Sequence, residues 1–351
     1  MRFKKGKKIT YGCLLLFLVI SPSGWAKNDG VVKTVSGTAL PGDYDGTLGE
    51  SSFLCPNGVA VDRDGNLFVA DTLNNVIRKI GFVGTVSTLV WRGPEDAPGG
   101  PATTARLSEP AGVALDAAGN VYIAERGGNR IIELTPRGVM TVLAGIGQAG
   151  STDGPATLAA FNGPSGVAVD VSGNVYVADT GNQLIRKISP GGAVTTLAGS
   201  RKTGLADGAG ASASFNQPTG VAVDSTGDVF VADSGNNLIR EISSTGMVST
   251  LAGTGQVGST NGPAAVASFK RPFGVAVDFF GNVFVADTGN NLIREITPEG
   301  VVSTLAGSGQ KGSANGSKTA ASFKYPQGVA VDRTGNVFIA DTGNSMIREI
   351  Q

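Results

Sequence analysis

A repeat of 54 residues constrains the fold of this chain more than any other feature of its sequence. The segment Pro-x-Gly-Val-Ala-Val/Leu-Asp recurs six times, each time followed by a glycine turn and an apolar run that ends in Ala-Asp or Ala-Glu. The six copies begin at Pro56, Pro110, Pro164, Pro218, Pro272 and Pro326. A fixed period of this length indicates a repeat architecture in which each copy forms one supersecondary unit. Residues common to all copies are then expected to build the unit, and a functional site is expected where the copies differ.

Each copy is predicted to form four short β-strands. In the third copy, residues 166–169 and 175–178 are apolar runs, separated by a turn with Asp170 first and Gly173 fourth, which suits a type I turn. Residues 184–188 are half polar and residues 194–198 are rich in hydroxyl groups. This gradient is expected when the first strand is innermost and the fourth is a solvent-facing edge. An antiparallel four-stranded blade repeated around an axis is an all-β fold, the β-propeller.

The two ends of the repeat array predict that the propeller is closed. The sixth copy stops after its third strand, so its fourth strand is missing there. Residues 30–37 (GVVKTVSG) match residues 300–307 (GVVSTLAG), which lie 270 residues, or five periods, further along the chain. The N-terminal strand is therefore predicted to complete the last blade. An open solenoid requires polar capping repeats instead, so six closed blades are expected.

The first 26 residues are predicted to be a cleaved signal peptide. A basic segment from Arg2 to Lys8 precedes an apolar stretch at residues 11–20 and small residues up to Ala26. The apolar stretch is too short to span a bilayer. We therefore expect a secreted or periplasmic protein without a membrane span, in which residues 27–351 form a single propeller domain.

Composition argues against several classes of function. Without residues 1–26 the chain has 23 basic and 28 acidic side chains, a formal net charge of −5, which disfavours a nucleic-acid partner. Only Cys55 then remains, so no internal disulfide forms, and we expect it to be a half-buried apolar side chain. The sequence contains no histidine, which removes serine–histidine catalysis and histidine-bound metals. We identify no catalytic residue, metal ligand or cofactor, and an enzyme is the less favoured interpretation.

Residues that recur in every copy are interpreted as structural. An aspartate begins the first turn of each copy and an acidic residue ends its second strand, so a calcium site built from these carboxylates is one alternative. We favour capping of turns and pairing with recurrent arginines. These arginines are Arg78, Arg186, Arg240, Arg294 and Arg348. An aromatic residue in each second strand is expected to pack between blades. These aromatics are Phe68, Tyr122, Tyr176, Phe230, Phe284 and Phe338.

The candidate site lies where two copies depart from the pattern. In an antiparallel blade the loops after strands two and four open on the same face, and the loop after strand four has about twenty residues, so we place the binding surface there. Trp91 and Arg92 replace Ala-Gly in the first copy, and Glu125, Arg126 and Arg130 alter the second. Tryptophan and arginine are typical interface anchors. These five residues are the predicted binding patch, and drift of surface loops is the alternative explanation.

The unit GVAVDxxGNVYVADTGNxxIRKI resembles the NHL repeat family over about residues 30–351. The Asn-His-Leu that gives the family its name is absent, and Asn236-Asn237-Leu238 stands in its place in the fourth copy. The resemblance implies a six-bladed propeller and, for most members, a binding function. Amidating-lyase relatives use zinc held by histidine, which this chain lacks. RNA-binding relatives have basic faces, which an acidic exported chain is not expected to present.

Three hypotheses follow from the sequence. The first is an exported, monomeric, non-catalytic propeller that recognises a protein or glycan partner through the face with the long loops. The second is a calcium-dependent, lactonase-like hydrolase with its site at the mouth of the central channel, which requires unmatched acidic and amide side chains there. The third is a structural or adhesive role that depends on the near-identity of the blades.

Overall fold

The computed structural model describes residues 30–90, 100–101 and 106–351, and the predicted signal peptide lies outside this part. Six antiparallel sheets form the fold, and the strands of each sheet are hydrogen-bonded in chain order from the innermost strand outward. The exceptions are the two-residue strands at the outer edges and the strand that closes the last sheet. Short 3-10 helices follow the second strand in five of the six blades. In the described residues no helix is long and apolar enough to cross a bilayer. The predicted all-β, six-bladed propeller is confirmed.

The strands of the first three blades have the following bounds. Blade one contains Pro56–Val61, Leu67–Asp71, Val76–Ile80 and Val86–Val90, with a 3-10 helix at Thr72–Asn74. Blade two contains Pro110–Leu115, Val121–Glu125, Arg130–Leu134 and Val139–Ala144, with Gly100–Pro101 at its outer edge. Blade three contains Gly166–Val169, Val175–Asp179, Leu184–Ile188 and Ala193–Ala198, with Gly154–Pro155 at its outer edge and a 3-10 helix at Thr180–Asn182.

The remaining three blades repeat this arrangement. Blade four contains Pro218–Val223, Val229–Asp233, Leu238–Ile242 and Met247–Ala252, with Gly208–Ala209 at its edge and 3-10 helices at Gly210–Ser212 and Ser234–Asn236. Blade five contains Val275–Val277, Val283–Asp287, Leu292–Ile296 and Val301–Ala306, with Gly262–Pro263 at its edge and a 3-10 helix at Thr288–Asn290. Blade six contains Val329–Val331, Val337–Asp341, Met346–Ile350 and Val31–Ser36, with Gly316–Ser317 at its edge and a 3-10 helix at Thr342–Asn344.

The ring closes as the sequence predicts. Val31–Ser36 pairs antiparallel with Met346–Ile350, with Val32 opposite Ile350 and Thr34 opposite Arg348. The structure differs from the prediction in the number of strands, because five blades carry a fifth, two-residue strand at the outer edge. This strand comes from the long loop between blades, which runs along the fourth strand and covers part of its free edge.

Apolar side chains fill the spaces between blades. Each second strand is buried throughout, and its aromatic residue packs on the next blade, as Tyr176 does on Val221 and Val229. The aromatic residues of the second strands therefore belong to the scaffold, as the sequence predicted.

A buried arginine–carboxylate pair fastens the long loops to five of the blades. In blade three, Arg186 Nη1 donates to Asp179 Oδ2 at 2.8 Å and to the Ala160 carbonyl at 3.0 Å, and Nη2 donates to the Thr152 carbonyl at 2.9 Å. The guanidinium carbon lies 5.1 Å from the centroid of the Phe161 ring. The side chains of both partners in the ion pair are fully buried. The arginine thus ties two points of the loop before blade three to the end of its second strand.

Burial of these carboxylates has an electrostatic cost. In blade one, burial raises the pKa of Asp71 to about 6, although hydrogen bonds from Asn74, Leu54 and Arg78 favour the ionised form. A buried carboxylate of this kind depends on its arginine, because a charge left without its partner is strongly destabilising.

We predict that Arg240→Leu lowers the free energy of unfolding by about 3–5 kcal/mol. The substitution leaves Asp233 buried without its ion pair and removes donors from the carbonyls of Ser214 and Ala206. Urea unfolding followed by fluorescence measures the change. Lys202→Leu, at an exposed position of the same inter-blade loop, is the control and should change stability by less than about 0.5 kcal/mol. Equal stability of the two variants would contradict the prediction.

Closure by the N-terminal strand predicts opposite effects for two adjacent substitutions. Val32 is fully buried, whereas Val31 on the other face of the same strand is 47% exposed. Val32→Asp should destabilise by several kcal/mol because it buries an unpaired carboxylate, about as much as deletion of residues 27–40. Val31→Asp should cost less than about 0.5 kcal/mol. Thermal unfolding measures all three variants, and an unchanged midpoint after the deletion would show that this strand does not hold the ring closed.

Candidate functional site

A funnel of about 580 Å³ opens at one end of the central channel, on the face that carries the long loops. The residue before each blade proline forms the rim position, and the rim residues are Cys55, Glu109, Gly163, Gln217, Arg271 and Tyr325. The residue after each second-strand carboxylate forms the hydroxyl position, and these residues are Thr72, Arg126, Thr180, Ser234, Thr288 and Thr342. The residue after each blade proline forms the floor position, and these residues are Asn57, Ala111, Ser165, Thr219, Phe273 and Gln327. Residues of all three kinds line the funnel.

Below the floor the channel is constricted by backbone. A Cβ on Gly166 would lie 2.3 Å from the Thr219 carbonyl oxygen, and one on Gly58 would lie 2.5 Å from that of Ala111. The glycine of each Pro-x-Gly segment is therefore required for the close approach of neighbouring innermost strands. The cavity at this level is only about 50 Å³. The funnel is thus constricted below, and its volume lies within the roughly 300–1,000 Å³ range of small-molecule sites.

The hydroxyl positions join neighbouring blades. The Thr72 hydroxyl donates to the Pro110 carbonyl of blade two at 2.7 Å, and Thr180 donates to Pro218 of blade four at 2.7 Å. Ser234, Thr288 and Thr342 make the same bond to Pro272, Pro326 and Pro56. Hydroxyls at five of the six positions therefore hold the blades together.

Arg126 is the exception among the hydroxyl positions. It cannot supply the hydroxyl that would donate to the Pro164 carbonyl of blade three. Its Nε instead lies 3.2 Å from Glu109 Oε2, in an ion pair whose side chains are 37% and 49% exposed. Exposed pairs of this kind contribute little to stability. Blade two has therefore lost an inter-blade hydrogen bond and has gained a cation that lines the funnel.

The other departures of blade two compensate one another. Glu125 is buried and accepts from the Ser108 N–H at 2.9 Å and from Arg130 Nε at 2.7 Å. A Cβ on Gly128 would lie 2.2 Å from Glu125 Oε2, so glycine replaces the asparagine of the other blades to make room for the longer acid. Ile132 takes the place of the recurrent arginine. The pair Glu125–Arg130 thus replaces the aspartate–arginine pair.

The rim residues hold a conformation that is unusual for side chains other than glycine. Their φ angles lie between 47° and 55°, in the left-handed region. In most blades the backbone N–H of the rim residue donates to a side-chain amide of a neighbouring blade. The Arg271 N–H donates to Asn237 Oδ1 at 2.9 Å, and the Tyr325 N–H donates to Asn291 Oδ1 at 3.0 Å. This contact fixes the backbone from which each rim side chain projects, which favours a pre-organised site.

The five residues of the predicted binding patch do not form one site in the structure. Trp91 and Arg92 lie outside the described residues. Glu125 and Arg130 form the internal pair of blade two, and Arg126 lines the funnel. Sequence reasoning missed the rim positions, although a signal was present: the residue before the invariant proline differs in all six copies. Whether these residues bind a partner remains a prediction.

Positive charge gathers on the side of the funnel formed by blades five and six. Arg271 lines it, the stems of Lys270 and Lys324 cross Gly289 and Gly343 of its wall, and Lys311 hydrogen-bonds the Tyr325 hydroxyl. Lys311, Lys324 and Lys270 lower the pKa of Tyr325 below its usual range. Within the described part of the chain, no acidic side chain forms an ion pair with Lys270, Arg271 or Lys324. A net charge of −5 over the whole mature chain therefore coexists with a local cluster of basic side chains at the funnel.

Two further properties of the funnel bear on its chemistry. Cys55 lines it half-buried, and burial raises the pKa of its thiol, as does the neighbouring Asp71. In the described residues, no group of three or more histidine, cysteine or acidic side chains is arranged to hold a metal ion.

The fold and the funnel define a closed six-bladed propeller with a pocket of ligand size. The NHL repeat profile matches residues 161–188, 215–242 and 323–349, and the SMP-30/Gluconolactonase/LRE-like region profile matches residues 38–149. Together with the 54-residue unit, the profile matches and the relatives below show that the chain belongs to the NHL repeat family.

Two curated relatives cover most of the chain. It is 34% identical over 339 residues to Protein SUPPRESSOR OF QUENCHING 1, chloroplastic, of Arabidopsis thaliana, covering 91% of this chain and 27% of that protein. It is 29% identical over 277 residues to NHL repeat-containing protein 2 of Homo sapiens, covering 67% of this chain and 38% of that protein. The chain thus spans roughly a quarter to two fifths of the length of these relatives.

Solved structures share the fold. A structural genomics protein from Bacteroides thetaiotaomicron matches with a TM-score of 0.72 and 21% identity, covering 92% of this chain and 75% of that chain. An auxiliary nutrient binding protein from the same organism matches with a TM-score of 0.69 and 18% identity, covering 92% and 76%. A gluconolactonase from Xanthomonas campestris has a TM-score of 0.59 and 14% identity, covering 92% and 90%.

The lost hydrogen bond of blade two predicts that Arg126→Thr is more stable than Arg126→Val. Threonine restores the hydroxyl that the other blades use, and valine has the same shape without it. The difference in the free energy of unfolding should be about 0.5–1.5 kcal/mol, the net value of one hydrogen bond. Chemical unfolding of both variants and of the parent measures it. Identical stabilities would mean that the Pro164 carbonyl gains nothing from a donor at position 126.

Proposed function

We propose that this chain is an exported binding propeller that recognises a protein or glycan partner through the face with the long loops, with the funnel at the centre of that face. The observation that carries the proposal is the rim: its six residues all differ on a scaffold that is otherwise repeated, and five of them line one ligand-sized pocket. Five of these backbone positions are strained for the residue they hold. Strained residues of this kind concentrate at functional sites.

Three further observations support this proposal. A propeller of similar fold is described as an auxiliary nutrient binding protein. The predicted signal peptide at residues 1–26 favours a secreted or periplasmic location, and a monomer there is part of the proposal. The patch of Trp91, Arg92, Glu125, Arg126 and Arg130 enters the proposal through Arg126, which lines the funnel, and through Trp91 and Arg92, which lie between blades one and two in the sequence.

A lactonase-like hydrolase is the second candidate. The match of residues 38–149 to the SMP-30/Gluconolactonase/LRE-like profile favours it. Such an enzyme requires several acidic or amide ligands that converge at the channel mouth, whereas the described residues that line the funnel include two amides, Gln217 and Gln327, and no carboxylate. Stoichiometric calcium retained after dialysis, together with hydrolysis of a sugar lactone, would favour this candidate over the binding propeller.

The proposal predicts that Gly163→Tyr blocks the face. A Cβ at Gly163 meets nothing closer than Arg126 Cγ at 4.0 Å, and the other five blades hold larger residues in the same conformation, so the variant should fold with the tyrosine in the funnel. Binding of labelled protein to a printed array of glycans and peptides should weaken at least about tenfold. Val171→Tyr, at a 91% exposed turn on the opposite face of the same blade, is the control. Retention of every array signal by Gly163→Tyr would contradict the proposal.

A further inference from the structure

Two arginines at the funnel, Arg126 and Arg271, have side chains with no role in holding the blades together. Arg126 stands where a hydroxyl would join blades two and three, so its presence weakens the scaffold. Arg271 occupies a rim position and forms no ion pair among the described residues. Residues that break a local structural rule without a compensating contact are expected at functional sites.

The two arginines lie on opposite sides of the funnel. Arg126 belongs to blade two and Arg271 to blade five, which are three blades apart in a ring of six. Lys270 and Lys324 add positive charge beside Arg271, since their stems cross Gly289 and Gly343 of the funnel wall. On the rim, Glu109 is the single acid and pairs with Arg126. An anion entering the funnel therefore meets an excess of positive charge.

The remaining groups favour a polyhydroxylated ligand. The side-chain amides of Gln217 and Gln327 line the funnel and make no hydrogen bond within the described part of the chain. Amides both donate and accept, as the hydroxyl groups of a sugar do. Phe273 supplies an apolar surface at the floor. The channel below the funnel narrows to a cavity of about 50 Å³, so the funnel suits the end of a glycan better than an extended acidic peptide.

We propose that the funnel binds an acidic sugar, one that carries a carboxylate or a sulfate group, with Arg271 as the principal partner of the anionic group and Arg126 as the second cation. This inference rests on the proposed function and specifies its ligand. Guanidinium groups bind carboxylate and sulfate oxygens through paired, charge-assisted hydrogen bonds. The amides of Gln217 and Gln327 then bind the sugar hydroxyl groups.

Calorimetric titration of the mature protein tests this proposal. The probes are α-1,4-linked digalacturonate, its methyl ester, and a monosulfated disaccharide with its unsulfated parent. At low salt, one or both acidic probes should bind at least about tenfold more tightly than the matched neutral sugar, because a charge-assisted hydrogen bond is lost with the charge. The preference should shrink at about 0.5 M salt. Which acidic probe binds identifies the anionic group.

Protein variants assign the effect to the arginines. Arg271→Gln, which keeps hydrogen-bonding capacity but removes the charge, should weaken the acidic probe about tenfold and leave the neutral sugar unchanged. Arg126→Gln should have a smaller effect of the same kind. Arg333→Gln, at an exposed turn on the opposite face, should have none. Circular dichroism verifies that each variant is folded.

Three outcomes would overturn the inference, and they separate it from the proposed function. Equal binding of acidic and neutral sugars, both blocked by Gly163→Tyr, would leave the funnel as a binding site and remove the role of charge. Binding of a poly-glutamate peptide but of no sugar would keep the funnel as the binding site and make its ligand an acidic peptide. Acidic-sugar binding that survives Gly163→Tyr would remove the site from the funnel, and with it the proposed function.

Discussion

The fold depends on an arginine that is buried where charges are ordinarily avoided. The pair between the third-strand arginine and the second-strand carboxylate is expensive to place in the interior, and it is retained because the same guanidinium also binds carbonyls of the long loop before the blade. Loop, second strand and third strand therefore meet at one cation that stacks on a buried aromatic ring. This contact fixes the long loops to the blades, and it therefore positions the loops that surround the funnel.

Blade two shows how this contact can be rebuilt without being lost. Lengthening the acid to Glu125, deleting the neighbouring side chain at Gly128 and moving the arginine two residues to position 130 restore an ion pair whose carboxylate is buried. Each of these changes alone would leave a clash or an unpaired charge. Arg126 takes no part in the exchange, which is why the structure separates it from residues that look equally unusual in the sequence.

The sequence predicts the architecture well because the repeat imposes it. The 54-residue period, the polarity gradient across each copy and the match of residues 30–37 to residues 300–307 are consequences of blades that pack on one another and close. The two-residue edge strands were missed because Gly-Pro and Gly-Ala carry no alternating pattern. Glu125 and Arg130 were grouped with Arg126 since a linear sequence does not show that a longer acid and a displaced arginine meet inside the blade. The rim positions were overlooked because single residues beside an invariant proline attract less notice than long loops.

The clamp on the rim backbone has an evolutionary consequence. Five of the six rim residues are held through their backbone N–H by a side-chain amide of a neighbouring blade, so this contact does not depend on the rim side chain itself. Substitutions there can accumulate one at a time without disturbing the ring, so the six rim positions behave as independent sites of variation on a common frame. A propeller of this construction can change what it recognises by point mutation alone, and duplicated blades, which begin identical, can diverge into an asymmetric pocket.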